Sequence, residues 1–451
     1  MYTFSNKLKT FSFLLIILGV IGIAYGFLTA PKTVQDVELI LAEQHHDGHG
    51  SHDEAHVTTD SHAVGDSHAE VAAHDAAHQK HLEHVLHQLQ NKPWAAVYVA
   101  AIFFMFIALG IFTFNQIQYA ASAGWSPVLF RVMEALSAYL LPGSIIFFIL
   151  LVASSMHLNH MFVWMADGVT DPTSPNYDFI IAGKAAYLNI PFFLIRAVIF
   201  LAGWNIFRML SRKNSIALDE TGDLTFYKKN FKLAATYLVF FIVSESIMSW
   251  DWIMSIDAHW YSTLFGWYVF ASFFVSGITV IALATIYLKS QGYLDFVNKS
   301  HIHDLAKFMF GISIFWTYLW FSQFMLMWYA NIPEEVTYFI FRIKEYNLPF
   351  FGMLVLNFLL PVLLLINTDF KRLSWIIVMT GICILLGHYL DFYNMIMPGT
   401  VGASWYIGVT EIGAILLFAG LFIYFGFKAL AKTPLLVKNN PLVEESKHFH
   451  Y

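Results

Sequence analysis

Residues 94–118 read WAAVYVAAIFFMFIALGIFTFNQIQ, twenty-five positions without a single charge. A helix of that length rises about 37 Å and crosses the ~30 Å hydrocarbon core of a bilayer. Comparable apolar runs recur along the chain, near 8–30, 127–156, 188–210, 231–256, 262–288, 306–330, 347–367, 373–395 and 406–428. With 94–118 they make ten. The composition agrees: 58 % of the residues are hydrophobic and 12 % charged, against about a quarter charged in soluble domains. The sequence therefore predicts an all-α integral membrane protein of about ten transmembrane helices, arranged as two four-helix bundles plus two peripheral helices. Net charge is −6, which offers nucleic acid little. The lone cysteine, Cys383, excludes a cysteine-held iron–sulfur cluster within the chain.

Four segments follow: a first transmembrane helix (1–30), a His-rich outer loop (31–92), a nine-helix membrane bundle (93–430) and a tail (431–451). Lys7 and Lys9 before the apolar run Phe11–Ala30 imitate a signal peptide. The run is near full spanning length and Pro31 follows the candidate cleavage site, so a retained helix is expected. With the N-terminus in the cytoplasm, seventeen of the twenty-five Lys and Arg fall on cytoplasmic segments. Six fall outside, and Arg131 and Arg196 lie within helices. That bias predicts an inner-membrane, multi-pass protein with both termini cytoplasmic.

Twelve of the twenty histidines lie between His45 and His87. Imidazoles mixed with carboxylates bind Zn²⁺ or Cu²⁺, so a divalent-metal transporter is one functional reading. The spacings (His45, His46, His49, His52, His56, His62) are irregular, whereas a defined site needs three or four fixed ligands. A solvated, pH-responsive loop is the expectation, with no metal site. From Ala72 to Leu89 the histidines recur at helical spacing, which extends the second helix outward.

Charges inside a bilayer are costly and are paired or functional. Arg131 and Glu134 lie one turn apart on the third helix, either a salt bridge or a site of proton uptake. Arg196, on the fourth, needs an acid from another helix. The fifth offers Glu245 near mid-membrane and Asp251 about 9 Å further out, ~120° apart around the helix. His388 and Asp391 share a face of the ninth helix, and Glu411 sits in the second turn of the tenth. Arg196, Asp251, His388, Asp391 and Glu411 share a depth in the outer half. Glu245 and Glu134 continue toward the cytoplasm, forming a ladder suited to proton transfer. The competing reading is a set of structural ion pairs. Only His388 lies well inside a helix, and no Cys-x-x-Cys-His occurs, so the chain alone carries no haem. An aromatic belt explains most of the tryptophans and tyrosines at 250, 252, 260, 261, 316, 320, 328 and 329, and a quinone or haem contact is the sharper reading for one or two of them. Ser244-Glu245-x₄-Trp250 echoes Ser322-Gln323-x₄-Trp328. That suggests two related halves, helices three to six and seven to ten.

The stretch SESIMSWDWIMSIDAHW (244–260) resembles a segment of the polysulfide-reductase-type (NrfD-like) membrane subunits of bacterial alternative complex III. So does FSQFMLMWYANIPEE (321–335). The resemblance runs from the second helix to the tenth, and the N-terminal helix with its long outer loop resembles the F-type subunit. It implies a membrane subunit of a respiratory quinol:cytochrome c oxidoreductase that scaffolds the complex and offers a proton path. Catalytic redox residues are expected in none of its positions, and a quinone pocket for quinol or menaquinol stays open. The partners implied are a second NrfD-like subunit, an iron–sulfur subunit, c-type cytochrome subunits carrying haem c, and a terminal oxidase. Glu245 and Asp251 fall on the acid-bearing family segment. Arg196, His388, Asp391, Glu411 and Glu134 join the proton path by depth. A metal transporter and a purely structural subunit are the alternatives.

Overall fold

The computed structural model describes residues 2–47 and 67–450; His49, His52, His56 and His62 lie outside them. Among the described residues there is no strand. Ten helices are long and apolar enough to span a membrane, and the protein is an all-α integral membrane protein. They are α1 (Asn6–Thr29), α2 (Ser67–Ala120), α3 (Pro127–Ser155, with short 3₁₀ turns), α4 (Ile190–Thr221), α5 (Thr225–Trp252), α6 (Phe265–Ser290), α7 (Lys299–Ala330), α8 (Asn347–Leu365), α9 (Ser374–Val401) and α10 (Val409–Leu430). One face carries residues 2 and 450 (the terminal face); the other carries the long connections (the loop face).

Several helices run past the hydropathy boundaries. α2 begins at Ser67 and α4 continues to Thr221. Hydropathy registers only the lipid-buried part, whereas a helix already satisfying its own backbone can continue into water with polar side chains. The ends are set by local chemistry. Asn189 accepts from the Phe192 N–H to start α4, and Gly222 ends it at φ 73°. Asn298 caps α7, which stops at Asn331 in the left-handed region, two residues before Pro333.

Helices α2, α3, α4 and α5 close into one four-helix ring of contacts, and α6, α7, α8 and α9 into a second. α1 and α10 are the peripheral pair. This corrects the division into helices three to six and seven to ten. The echo between Ser244–Trp250 on α5 and Ser322–Trp328 on α7 consequently joins non-equivalent helices. A better correspondence is Tyr98-Val-x-Ala-x-Phe-Phe104 on α2 and Tyr268-Val-x-Ala-x-Phe-Phe274 on α6, each the first helix of its bundle. Each fourth helix then carries an aspartate followed by an aromatic, Asp251-Trp252 and Asp391-Phe392. Phe106 packs on both of those rings. α2 is the hub, with 89 % of its apolar window buried; α1 is the rim, with 22 %.

α1 is held almost wholly by α10. Gly19, Gly22 and Gly26 form a side-chain-free stripe facing Gly413 and Thr410. A Cβ on Gly22 would lie 2.9 Å from the Gly413 Cα, and one on Gly19 2.4 Å from the Leu417 N. Membrane helices associate through such close backbone approach. In Gly22→Leu, α1 is expected to lose its seat. Cleavage between residues 31 and 33 should then release the N-terminal fragment from the purified protein, while the parent retains it. Retention in both would show that other contacts hold α1.

Candidate functional site

The two fourth-helix aspartates are both fully buried but differently partnered. Asp251 on α5 is gripped by Arg196 of α4, with Nε to Oδ2 at 2.6 Å and Nη2 to Oδ1 at 3.0 Å. The Tyr187 hydroxyl donates to Oδ1 at 2.8 Å, and the guanidinium lies 4.0 Å from the Tyr187 ring centroid. Burial first, then Asp251, pushes the Tyr187 phenol up, so it stays a donor. This is a closed ion pair with both carboxylate oxygens occupied.

Among the described residues no guanidinium pairs with Asp391 on α9. The Tyr268 hydroxyl of α6 donates to Oδ1, and the Trp316 indole N–H of α7 to Oδ2 at 2.8 Å. His388, one turn back, holds Nδ1 3.6 Å from Oδ2, too far for a hydrogen bond. Nδ1 lies 2.9 Å from the Ser272 Oγ and 3.4 Å from the Asn357 Nδ2. With those two donating, the ring proton sits on Nε2, which has no partner among the described residues. Moving that proton to Nδ1 would aim it at Asp391. A carboxyl among neutral donors beside an imidazole with two usable tautomers is a pair able to exchange a proton.

Asn357 reaches this pair through a defect in α8. Pro361 cannot donate to the Asn357 carbonyl. Residues Val355–Leu359 widen into one π turn, closed by the Leu360 N–H to the Val355 carbonyl. Facing it, Gly387 leaves room: a Cβ there would lie 2.1 Å from Asn357 Oδ1. Further in, Ser313 on α7 and Thr380 on α9 carry buried hydroxyls without partners among the described residues. Thr380 is about 12 Å from His388 along the helix.

Above Asp391 the bundle opens toward the loop face. A crevice of about 10 Å³, room for about one water, is bordered by Tyr268, Gln323, Tyr338, Arg342 and Asn394. Tyr338 and Arg342 also border a cleft of about 370 Å³ with Asp257, Gln88 and Gly402. Both belong to an amphipathic helix, Pro333–Glu345, lying on the loop face. Arg342 donates to the Asn394 and Tyr338 carbonyls, each at 2.9 Å. Tyr338 stacks on Trp260, and burial pushes its phenol up.

The other acids lie apart. Glu134 binds Arg131 at 2.6 Å and Arg212 at 3.3 Å at the terminal face, where Arg131 also holds Asp219 at 2.5 Å. Glu245 is buried; among the described residues its carboxyl meets only the Ser246 hydroxyl, at 3.3 Å, and Oε1 has no partner. Glu411 caps α10, Oε2 accepting from the Gly408 N–H at 2.8 Å. The ladder read from depth thus resolves into the Arg196–Asp251 pair, the His388–Asp391 pair and three separately held glutamates. Among the described residues no three His, Cys, Asp or Glu gather as a ligand set for a metal.

Sequence reading overlooked Tyr268, Ser272, Asn357 and Arg342. Of the aromatics read mostly as a belt, Trp316 is fully buried and donates to Asp391, and Trp252 is fully buried in the first bundle. Trp328 and Tyr329, 62 % and 85 % exposed, do sit where a belt residue would. The usable signals were the repeated Tyr-Val-x-Ala-x-Phe-Phe motif and an asparagine four residues before a proline. No family model and no curated protein matches the sequence.

Proposed function

We propose that the chain is the F-type membrane subunit of a respiratory quinol:cytochrome c oxidoreductase of the alternative complex III kind. Its second bundle exchanges protons through Asp391 and His388. The observation that carries this reading is the buried carboxyl–imidazole pair held by neutral donors, one of which, Tyr268, borders a water-sized crevice. The resemblance of 244–260 and 321–335 to NrfD-like subunits supports the complex. The lysine and arginine bias toward the terminal face supports an inner-membrane orientation with both termini in the cytoplasm. Quinol oxidation and electron transfer fall to the second NrfD-like subunit, the iron–sulfur subunit and the c-type cytochromes, with a terminal oxidase downstream. A purely structural role suits Arg196–Asp251, whose oxygens are fully occupied.

Gentle detergent extraction of the tagged chain from its native membrane, with mass spectrometry and a haem spectrum, tests the assignment. The expected result is co-purification of a second ten-helix subunit, an iron–sulfur protein and c-type haem. A chain emerging alone with bound zinc would replace it with the divalent-metal transporter.

A further inference from the structure

The terminal end of α4 carries more positive charge than the protein neutralises. Arg131, Arg208 and Arg212 cluster there with the carboxylates of Glu134 and Asp219. Arg131 spans both acids, and Arg212 shares Glu134 while donating to the Thr433 hydroxyl at 3.3 Å. Arg208 is left over. It is 9 % exposed, it makes no hydrogen bond or ion pair among the described residues, and its Nε is enclosed without a partner. Its nearest charged neighbour one turn on is Arg212, of the same sign. A guanidinium with nothing to bind, beside another, is unstable in this position unless an anion completes it.

Depth identifies the anion. Arg208 lies about 27 Å along α4 from Ile190, and Arg212 about 33 Å. Those distances match the far edge of a ~30 Å hydrocarbon layer, where lipid phosphates lie. Arg208 is on the inner face of α4, with Ile206, Met209 and Leu210 exposed on the outer face at the same depth. Basic pockets between membrane helices at headgroup level bind anionic lipids, and the arginine fork matches phosphate oxygens.

We propose that Arg208 and Arg212 form a binding site for the phosphate of an anionic phospholipid in the leaflet at the terminal face. The lipid neutralises the surplus guanidinium and seals α4 against the end of α10. The shared chemistry is a phosphate oxyanion; the headgroup-level depth of Arg208 and Arg212 favours the one that brings acyl chains.

The test uses the full chain purified in neutral detergent and stripped of lipid. Phosphatidylglycerol, phosphatidylcholine and inorganic phosphate are each added back, with thermal stability and native mass spectrometry as readouts. Phosphatidylglycerol is expected to be retained and to raise the melting temperature, the other two to do neither. Arg208→Gln should weaken phosphatidylglycerol retention roughly tenfold or more, as loss of a charge-assisted contact implies. Arg208→Lys should recover part of it. Lipid-free Arg208→Gln should be at least as stable as the parent, because it removes an unpaired charge, and so remains measurable. Equal retention by Arg208→Gln and the parent would overturn the proposal. So would equal protection by inorganic phosphate, which would mean a free-anion site.

Discussion

Arg196→Met is expected to cost the folded protein about 3–5 kcal/mol, the penalty for stranding one member of a buried ion pair. Asp251 has no exposure, and Arg196 supplies two of the three side-chain donors to its carboxylate. The Tyr187 hydroxyl alone would face a charge it cannot neutralise. The double variant Arg196→Met with Asp251→Leu removes both charges and should recover most of the loss, since a buried pair exchanged for packed apolar groups is often neutral. Thermal unfolding of the purified protein in detergent reads both outcomes. The pair joins α4 to α5, the third and fourth helices of the first bundle, so failure should appear as loosening of that bundle. If Arg196→Met unfolds no more easily than the parent, the ion pair is not what fixes α4 on α5. Asp251→Asn separates architecture from chemistry: folded protein with unchanged turnover makes the pair structural, and folded protein with lost turnover returns Asp251 to the proton path.

The ten spans were legible because a bilayer imposes one rule on every segment, enough apolar residues to cross it. Residues 94–118 satisfy that rule unaided, and they became the buried hub. Partition into bundles was not legible, because it depends on which faces touch. Arg196 asked for an acid from another helix, and two acids on α5 were candidates; only side-chain geometry chose Asp251 over Glu245. The His388–Asp391 pair followed from helical spacing alone. What surrounds it did not, because Tyr268, Trp316 and Asn357 come from three other helices. Trp316 could not be told apart from a belt residue for a physical reason. The aromatic amphipathicity that suits a membrane interface suits equally a buried indole with a carboxylate to donate to. The helix Pro333–Glu345 went unread because it lies on the surface of the bundle and spans nothing.

In the proposed quinol-oxidising complex, Asp391→Asn is expected to lower proton-coupled turnover about hundredfold, the lower end of what a positioned acid–base group contributes. The substitution is close to isosteric. An amide oxygen can still accept from the Trp316 indole, and the amide N–H₂ can donate to the Tyr268 oxygen, whose hydroxyl is free to turn. Packing of α9 against α6 and α7 should therefore survive, and the variant loses the ability to hold and release a proton. Tyr268→Phe supplies the contrast. It keeps the carboxyl and deletes one donor, so it should cost about 1–3 kcal/mol of stability with a smaller effect on turnover. Quinol-driven cytochrome reduction in reconstituted vesicles, with proton release followed by a pH dye, distinguishes the two. A relay through Asp391 requires Asp391→Asn to lose proton release in an intact complex while Tyr268→Phe retains it. Normal release in Asp391→Asn would remove the carboxyl from the path and leave the second bundle as scaffold. Turnover lost with the complex dissociated would instead mean that Tyr268, Trp316 and Asp391 hold α6, α7 and α9 together, which the unfolding temperature of the isolated chain would register directly.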